Sequence, residues 1–211
     1  MSEDATDPTL QEIITTLQDE HRLGILLTAQ MGGTPEEIQL ILQVADFDED
    51  KQIILPQKAY IVRCISVQEH RLSLGMFGTL LHVEDHPLLW NHNTIYHQVY
   101  FRGTLDSADG LMLELTQLYG QYYGGIRNIA DDLNLAMPLE RLLTSGHGLL
   151  GTVPLPMAER VTALLERYGL TSRLVPIEQE PPEIQYKLLV MDDSFLIAHL
   201  YSVDPVQGKK D

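Results

Sequence analysis

The stretch YIVRCISV, residues 60–67, decides the fold class of this chain, because it is rich in β-branched and aromatic residues. Such a composition is typical of a β-strand. The stretch TIYHQVYFR at 94–102 has the same character, and residues 72–83 between the two run apolar around two glycines. We therefore interpret residues 58–103 as an antiparallel meander, with turn chemistry at Asp85-His86-Pro87.

The spacing of apolar residues changes from strand-like to helical after residue 105. A predicted helix begins at Asp106 or Ser107 and ends at Gly124-Gly125, because leucines and tyrosines recur within it every three or four positions. A further helix starts at Pro156. At the end of the chain, residues 186–191 and 195–203 predict a β-hairpin that turns at Asp192-Asp193.

The N-terminal third contains one clear element and one that the sequence leaves open. Asp7-Pro8 is a helix start, with a capping side chain followed by proline at the first helical position. Residues 34–46 fit either structure, since Thr34-Pro35-Glu36-Glu37 spells a helical capping box whereas the apolar residues after it alternate. We favour a strand, paired with residues 23–29 across the Gly32-Gly33 turn.

These patterns together predict an α+β fold. Its parts are an antiparallel β-meander (an open sheet or a partly closed barrel), an N-terminal helix, a packed layer of helices and a C-terminal β-hairpin. We predict a single domain over residues 8–204, which can be subdivided into a β-rich part (8–104) and a part with helices and the C-terminal strands (105–204). Residues 1–7 and 205–211 are predicted to be flexible tails.

Composition excludes several classes of protein. The 211 residues carry a formal net charge of −16 and are 44% hydrophobic, which is too apolar for a disordered chain. An acidic surface repels phosphate groups, so we expect neither nucleic acid nor membrane insertion, and no apolar run is long enough to span a bilayer. The single cysteine, Cys64, cannot form an internal disulfide. Together with the acidic N-terminus this indicates a cytoplasmic protein.

Histidines form the densest group of chemically versatile residues. Four of the eight lie close together in the sequence: His82, His86, His92 and His97. If the flanking strands form a hairpin that turns between Leu89 and Trp90, His82 faces His97 at a Cβ distance of about 5 Å. Two such imidazoles can hold a divalent transition metal such as Zn²⁺ if a third ligand comes from Glu84, Asp85 or His86, of which we select His86. The alternative, which we favour, is a polar cross-strand pair, since no established ligand motif accompanies these residues.

Three residues are candidates for binding another molecule. Tyr123 falls off the apolar stripe of its predicted helix, so we expect it to be exposed, and tyrosine is an effective interface anchor. His147 lies between glycines, which allow a ligand to approach the backbone, although a simple helix-ending turn explains the same pattern. Trp90 lies in the histidine-rich turn.

No catalytic motif accompanies these candidates, since the sequence has no Gly-x-Ser-x-Gly, His-Glu-x-x-His or Cys-x-x-Cys pattern. We therefore predict a non-catalytic accessory or regulatory protein that acts through protein–protein binding. Its acidic surface would steer a basic or neutral partner. The alternative is a metal- or small-ligand-binding enzyme with a pocket near the hairpin of His82, His86 and His97, its cofactor unknown. A homodimer formed through a strand edge is a third possibility.

Overall fold

Most of the segment that the sequence leaves open, residues 34–46, belongs to a strand that spans Ile38–Asp48. In the computed structural model, which describes residues 7–133, 137–178, 180 and 182–206, this strand pairs antiparallel with Arg22–Met31, as predicted. Its side chains alternate between buried and half-buried positions, and Leu40 and Leu42 are almost fully enclosed. Burying one face of a paired strand thus outweighs the local capping signal.

Over the described residues the chain forms six helices, a short 3₁₀ turn and twelve strands. The helices are α1 Pro8–Thr16, α2 Trp90–Asn93, α3 Asp109–Tyr123, α4 Ile129–Asp132, α5 Leu139–Thr144 and α6 Leu155–Arg167, with the 3₁₀ turn at Pro87–Leu89. The strands are β1 Arg22–Met31, β2 Ile38–Asp48, β3 Ile53–Ile65, β4 Glu69–Arg71, β5 Gly75–Phe77, β6 Leu80–Val83, β7 Tyr96–Arg102, β8 His147–Pro154, β9 Thr171–Pro176, β10 Lys187–Met191, β11 Ser194–Ala198 and β12 Leu200–Pro205.

All strand pairs are antiparallel, which confirms the predicted α+β fold class, and no closed barrel forms among the described residues. Among the described residues, no helix is both long enough and apolar enough to cross a membrane.

The chain divides into two compact units. The first unit comprises Met1–Asp85 and Gln185–Asp211, and the second comprises His86–Ile184. The single domain predicted over residues 8–204 stays a prediction. Of the predicted tails, residues 1–6 and 207–211 lie outside the described residues.

The first unit contains a five-stranded sheet, ordered β12-β3-β2-β1-β5, and a four-stranded sheet, ordered β4-β11-β10-β6. Helix α1 contributes Leu10 and Ile13 to the core that these strands line. Asp7 caps α1 as predicted, because one of its carboxylate oxygens accepts the Thr9 N–H at 2.8 Å. The other accepts the Val203 N–H of β12 at 3.0 Å, which fixes the start of the helix to an edge of the sheet.

The predicted C-terminal hairpin is confirmed as β10 and β11, with Met191 opposite Ser194. Asp192 in the turn has a positive φ of 47°, and its carboxylate accepts the N–H groups of Gly78 and Thr79 at 2.9 Å each. The second strand ends earlier than predicted, however. Beyond Ala198 the chain enters the other sheet as β12, which pairs with β3.

The second unit contains a three-stranded sheet, ordered β8-β7-β9, against which α6 packs. The side chains of His97, Val99 and Phe101 in β7 point to the buried side. The predicted helix over α3 is confirmed, and it ends at Gly124, whose φ of 58° suits glycine.

The hairpin predicted to join His82 and His97 is wrong. His82 lies opposite Leu189 of β10, whereas His97 lies opposite Val153 and Pro176. The intervening residues form the 3₁₀ turn and α2 instead. Pro87 sits at the first position of that turn, and His86 Nδ1 accepts the Leu88 N–H at 3.2 Å, so local capping starts a helical turn where the sequence predicts a β-turn.

Gly151 of β8 is expected to be intolerant of a side chain. It bridges to Leu133, and a Cβ at this position would overlap the Asp132 carbonyl oxygen and approach the Leu133 Cα at 2.9 Å. We expect Gly151→Ala to lower the free energy of unfolding by about 1–3 kcal/mol, measured by urea denaturation, because backbone has to move.

Gly120→Ala is the matched control. This glycine lies inside α3, where an added Cβ meets nothing within 4 Å. Alanine should stabilise the helix there by about 0.5–1 kcal/mol. Changes of the same sign for both variants would contradict the crowding at Gly151.

Candidate functional site

The three predicted metal ligands lie on separate elements. His82 belongs to β6 of the first unit, while His86 precedes the 3₁₀ turn and His97 lies in β7 of the second unit. Among the described residues, no group of three or more His, Cys, Asp or Glu side chains is arranged to hold a metal ion. The predicted metal site required a hairpin that places His82 opposite His97, and these two residues pair with other strands instead.

His82 takes part in a polar cluster of the first unit. Its ring meets that of Tyr201 edge-on at a centroid distance of 5.3 Å. Burial lowers the pKa of His82, and the neighbouring Lys187 ammonium lowers it further, while Glu84 opposes them. Lys187 Nζ lies 2.9 Å from Glu84 Oε1, and this hydrogen bond holds the pKa of Glu84 below its ordinary value. The cluster therefore joins Glu84, which follows β6, to Lys187 of β10 by an ion pair beside the His82 imidazole.

Tyr123 is not the exposed anchor that the sequence predicts, because only 1% of its surface is accessible. The buried residues of α3 follow a strict spacing of four positions: Leu111, Leu115, Tyr119 and Tyr123. Residues four apart lie on one face of a helix, so Tyr123 extends this row even though it falls off the stripe drawn through Tyr122.

Trp90 is half-buried and packs inside the second unit. Its ring lies 5.4 Å from that of Tyr122, and the Arg160 guanidinium lies over both rings, 4.8 Å from Trp90 and 4.5 Å from Tyr122. Such cation–π contacts contribute about 0.5–2 kcal/mol each. The trio joins α2, α3 and α6, which gives Trp90 a structural role; its predicted binding role stays a prediction.

A buried acid that the sequence does not reveal, Asp132, also lies in the second unit. The Asp132 side chain is only 6% exposed, and its Oδ1 lies 3.6 Å from Arg127 Nη2. Burial raises the pKa of Asp132, and Arg127 and the nearby Tyr119 hydroxyl only partly offset this effect. The pair Asp131-Asp132 gives no sequence signal for this difference, because only the structure shows that Asp131 caps α4 while Asp132 turns inward.

Two tyrosine hydroxyls share this buried environment. Burial, followed by the charge of Asp132, raises the pKa of both Tyr119 and Tyr123, so both phenols stay neutral. Within the described residues, neither hydroxyl nor Asp132 Oδ2 has a hydrogen-bond partner of regular geometry. Perturbed acids often mark functional sites, but these polar atoms are closed off from solvent. Asp132 itself also lines a groove of about 460 Å³ in the second unit.

His147 is exposed and lines a groove of about 460 Å³ in the second unit. The walls of the groove are mainly apolar and include Leu142, Leu149 and Leu150. The glycines beside His147 are structural, since Gly146 and Gly148 have φ values of 83° and 156°. Of the three predicted binding residues, His147 is thus the one that the structure places beside a cavity.

A row of exposed apolar side chains in the first unit lies where β2 and β3 meet, at residues 46–58, which we name the β2–β3 arm. Residues 53–58 are exposed at six consecutive positions. The partner strand β12 reaches only as far as Tyr60, so the outer edge of residues 53–58 has no strand neighbour in the described part of the chain. The sequence analysis missed this site because it began the strand at Tyr60.

Large apolar side chains cover both faces of the arm: Phe47, Ile53, Ile54 and Leu55, each 36–43% exposed. Its turn is held by local bonds, because both the backbone N and the Nζ of Lys51 lie 3.0 Å from the Asp48 carboxylate. These bonds lower the pKa of Asp48. The arm is therefore an ordered ribbon that presents apolar groups to solvent.

No protein-family model, curated protein or solved structure matches this chain. Its function is therefore argued from its own surfaces.

Asp132→Asn should stabilise the protein near neutral pH. Because burial holds the pKa of the folded Asp132 above the unfolded value of about 3.9, the ionised carboxylate costs stability above the folded pKa, and this cost is absent below the unfolded pKa. We expect a melting temperature a few degrees above wild type near neutral pH, with the difference vanishing as the pH falls toward ~4.

Asp106→Asn is the control, because Asp106 is exposed and the substitution changes the net charge equally. It should leave the melting temperature nearly unchanged across the same pH range. If Asp132→Asn destabilises the protein at neutral pH, the Arg127 ion pair outweighs burial and our account of Asp132 is wrong.

Proposed function

We propose that this protein is a non-catalytic accessory or regulatory protein that binds another protein through the β2–β3 arm. The observation that carries the proposal is the exposure of Phe47, Ile53, Ile54 and Leu55 on one ordered ribbon. Apolar side chains clustered on a surface commonly mark sites of protein–protein contact. The lone buried thiol of Cys64 supports a cytoplasmic location as part of the same proposal.

The strand register divides the arm into two apolar faces. Phe47 lies directly opposite Ile54, so these two side chains share one face, whereas Ile53 and Leu55 belong to the other. A partner that covers either face would bury two large side chains.

Features of the outer edge of residues 53–58 disfavour pairing between two copies of the chain. Pro56 has no N–H to donate and Lys58 places a charge on the edge, two common devices against self-association. The net charge of −16 adds long-range repulsion between copies and attracts a basic partner instead. A partner of different sequence therefore fits the arm better than a homodimer.

The groove beside His147 supports a second candidate function, the binding of a small apolar ligand. Its volume of about 460 Å³ lies within the range of known ligand sites. Methyl NMR spectra of Leu142, Leu149 and Leu150 recorded with a fragment library would test this candidate. Fragments that shift these methyl signals together would support it, and unchanged spectra would exclude it.

Removing the apolar side chains of the arm should abolish partner binding without unfolding the protein. We expect the double variant Ile54→Ser, Leu55→Ser to recover about tenfold less of each interaction partner than wild type, or even less, which is the effect of removing a binding hot spot. The measurement is quantitative mass spectrometry of proteins that co-purify with tagged wild type and variant from native lysate. Thermal melting verifies that both are folded.

Leu113→Ser is the matched control, because Leu113 is 59% exposed and belongs to α3 of the second unit, whereas the arm belongs to the first. Its co-purifying proteins should match those of wild type. The proposal fails if the arm variant retains every protein that the control retains, or if neither wild type nor control enriches any protein above a tag-only background.

A further inference from the structure

The sheet of the second unit has one covered face and one open face. The odd-numbered residues of β7 point into the core, so the alternate residues Gln98, Tyr100 and Arg102 point the other way. Tyr100 and Arg102 are exposed and Gln98 is half-buried. We name this open side, with the side chains that flank these three residues, the outer face.

The strand register sets which side chains share the outer face. Tyr100 lies between Leu149 of β8 and Arg173 of β9. Arg102 lies in the next row between His147 and Thr171. Directly opposed residues point to the same side of a sheet, so an aromatic ring is surrounded by two guanidinium groups, an imidazole and a leucine.

The aromatic centre of this face is accessible and held in place. Tyr100 is 37% exposed and Leu149 is 40% exposed. The Tyr100 hydroxyl donates to Gln98 Oε1 at 3.0 Å, which restricts the orientation of the ring. A rigid, amphipathic tyrosine makes a favourable contact surface because little side-chain entropy is lost on binding.

The charge of the outer face is opposite to that of the whole chain. Strands β7, β8 and β9 contain no aspartate or glutamate, although the chain has 30 acidic and 14 basic residues. Neither Arg102 nor Arg173 has a salt-bridge partner among the described residues, whereas Arg22, Arg63 and Arg167 are paired. The face therefore offers two unpaired guanidinium groups around an exposed ring.

We propose that the outer face binds an acidic segment of another protein. Guanidinium groups bind carboxylates through paired, charge-assisted hydrogen bonds, so Arg102 and Arg173 would hold two acidic side chains. Tyr100 would supply the apolar contact between them. This site lies on the second unit and does not depend on the β2–β3 arm.

The groove next to the outer face adds a place for an apolar side chain. Leu149 and His147 belong to both surfaces, since both also line the cavity of about 460 Å³. Asp131 and Asp132 also line the groove, so of an acidic segment it would take only the large apolar side chain, while the flanking acidic side chains would lie on the outer face. Interfaces commonly gain most of their affinity from one such anchor in a pocket.

Charge complementarity favours an acidic peptide over nucleic acid. Both carry negative charge, but nucleic acid has a dense row of phosphates that would also meet the field of a chain with a net charge of −16. The attraction from two arginines is too small to offset that repulsion. A short peptide with a few carboxylates experiences less repulsion, so two arginines are enough to bind it.

The test uses the full chain and an array of short random peptides sorted by net charge. We expect acidic peptides with a leucine or aromatic residue to bind, and fluorescence anisotropy to show an affinity that falls with added salt. The double variant Arg102→Gln, Arg173→Gln should bind such peptides about tenfold more weakly. Tyr100→Ser should also lower the affinity for these peptides, but the affinity should depend on salt concentration as it does in wild type.

Arg71→Gln is the matched control, because Arg71 is an exposed strand arginine of the first unit. It should leave peptide affinity unchanged, and thermal melting verifies that every variant is folded. The proposal is overturned if basic peptides bind as well as acidic ones, if the double variant binds like wild type, or if single-stranded DNA binds this face more tightly than any acidic peptide.

Discussion

The pairing of β2 with β3 is the interaction on which the first unit depends. In the middle of the ladder, Leu40 lies opposite Val62 and both side chains are fully buried, so this part of the pair forms the centre of the core. The same ladder continues past a bulge at Gln43/Ala45 to Asp48 and Ile53, beyond the reach of β12. Hydrogen bonds keep the two strands paired beyond the end of the core, so the apolar side chains of this part are exposed to solvent. The arm exists because the backbone ladder is longer than the core that covers it.

Elements specified by local signals could be predicted from the sequence, and pairings between distant segments could not. The alternation after Ile38 identifies β2, and Gly124 marks the end of α3, because both signals lie within a few residues of the structure that they determine. The partner of β6 is β10, near the other end of the chain. A histidine-rich segment between two apparent strands predicts a local hairpin, and nothing in that segment shows that a distant strand competes for the same edge.

The candidate sites differ from the sequence-based set for a related reason. Residue type alone selects tyrosines and histidines, but burial decides which of them can act on another molecule, and burial follows from packing between elements. Tyr123 and Asp132 both have polar ends that local pattern places in solvent, yet both are enclosed. His147 is exposed beside a cavity, and its predicted role in binding stays a prediction. The outer face is visible only in the register of three strands, since Tyr100, Leu149 and Arg173 are far apart in the sequence.

The stability of the fold alone does not explain why the arginines of the outer face are unpaired. In a chain with 30 acidic residues, an exposed guanidinium can gain Coulomb attraction from a nearby carboxylate at little cost. Paired arginines such as Arg63 with Asp204 make use of this, whereas the three strands around Tyr100 contain no carboxylate at all. Folding stability alone gives no reason for that exclusion, because a glutamate at the position of Thr171 would lie directly opposite Arg102. A surface that binds a partner often lacks a stabilising interaction that the fold alone would allow. Here the missing interaction is a carboxylate beside each arginine, which an acidic partner would supply.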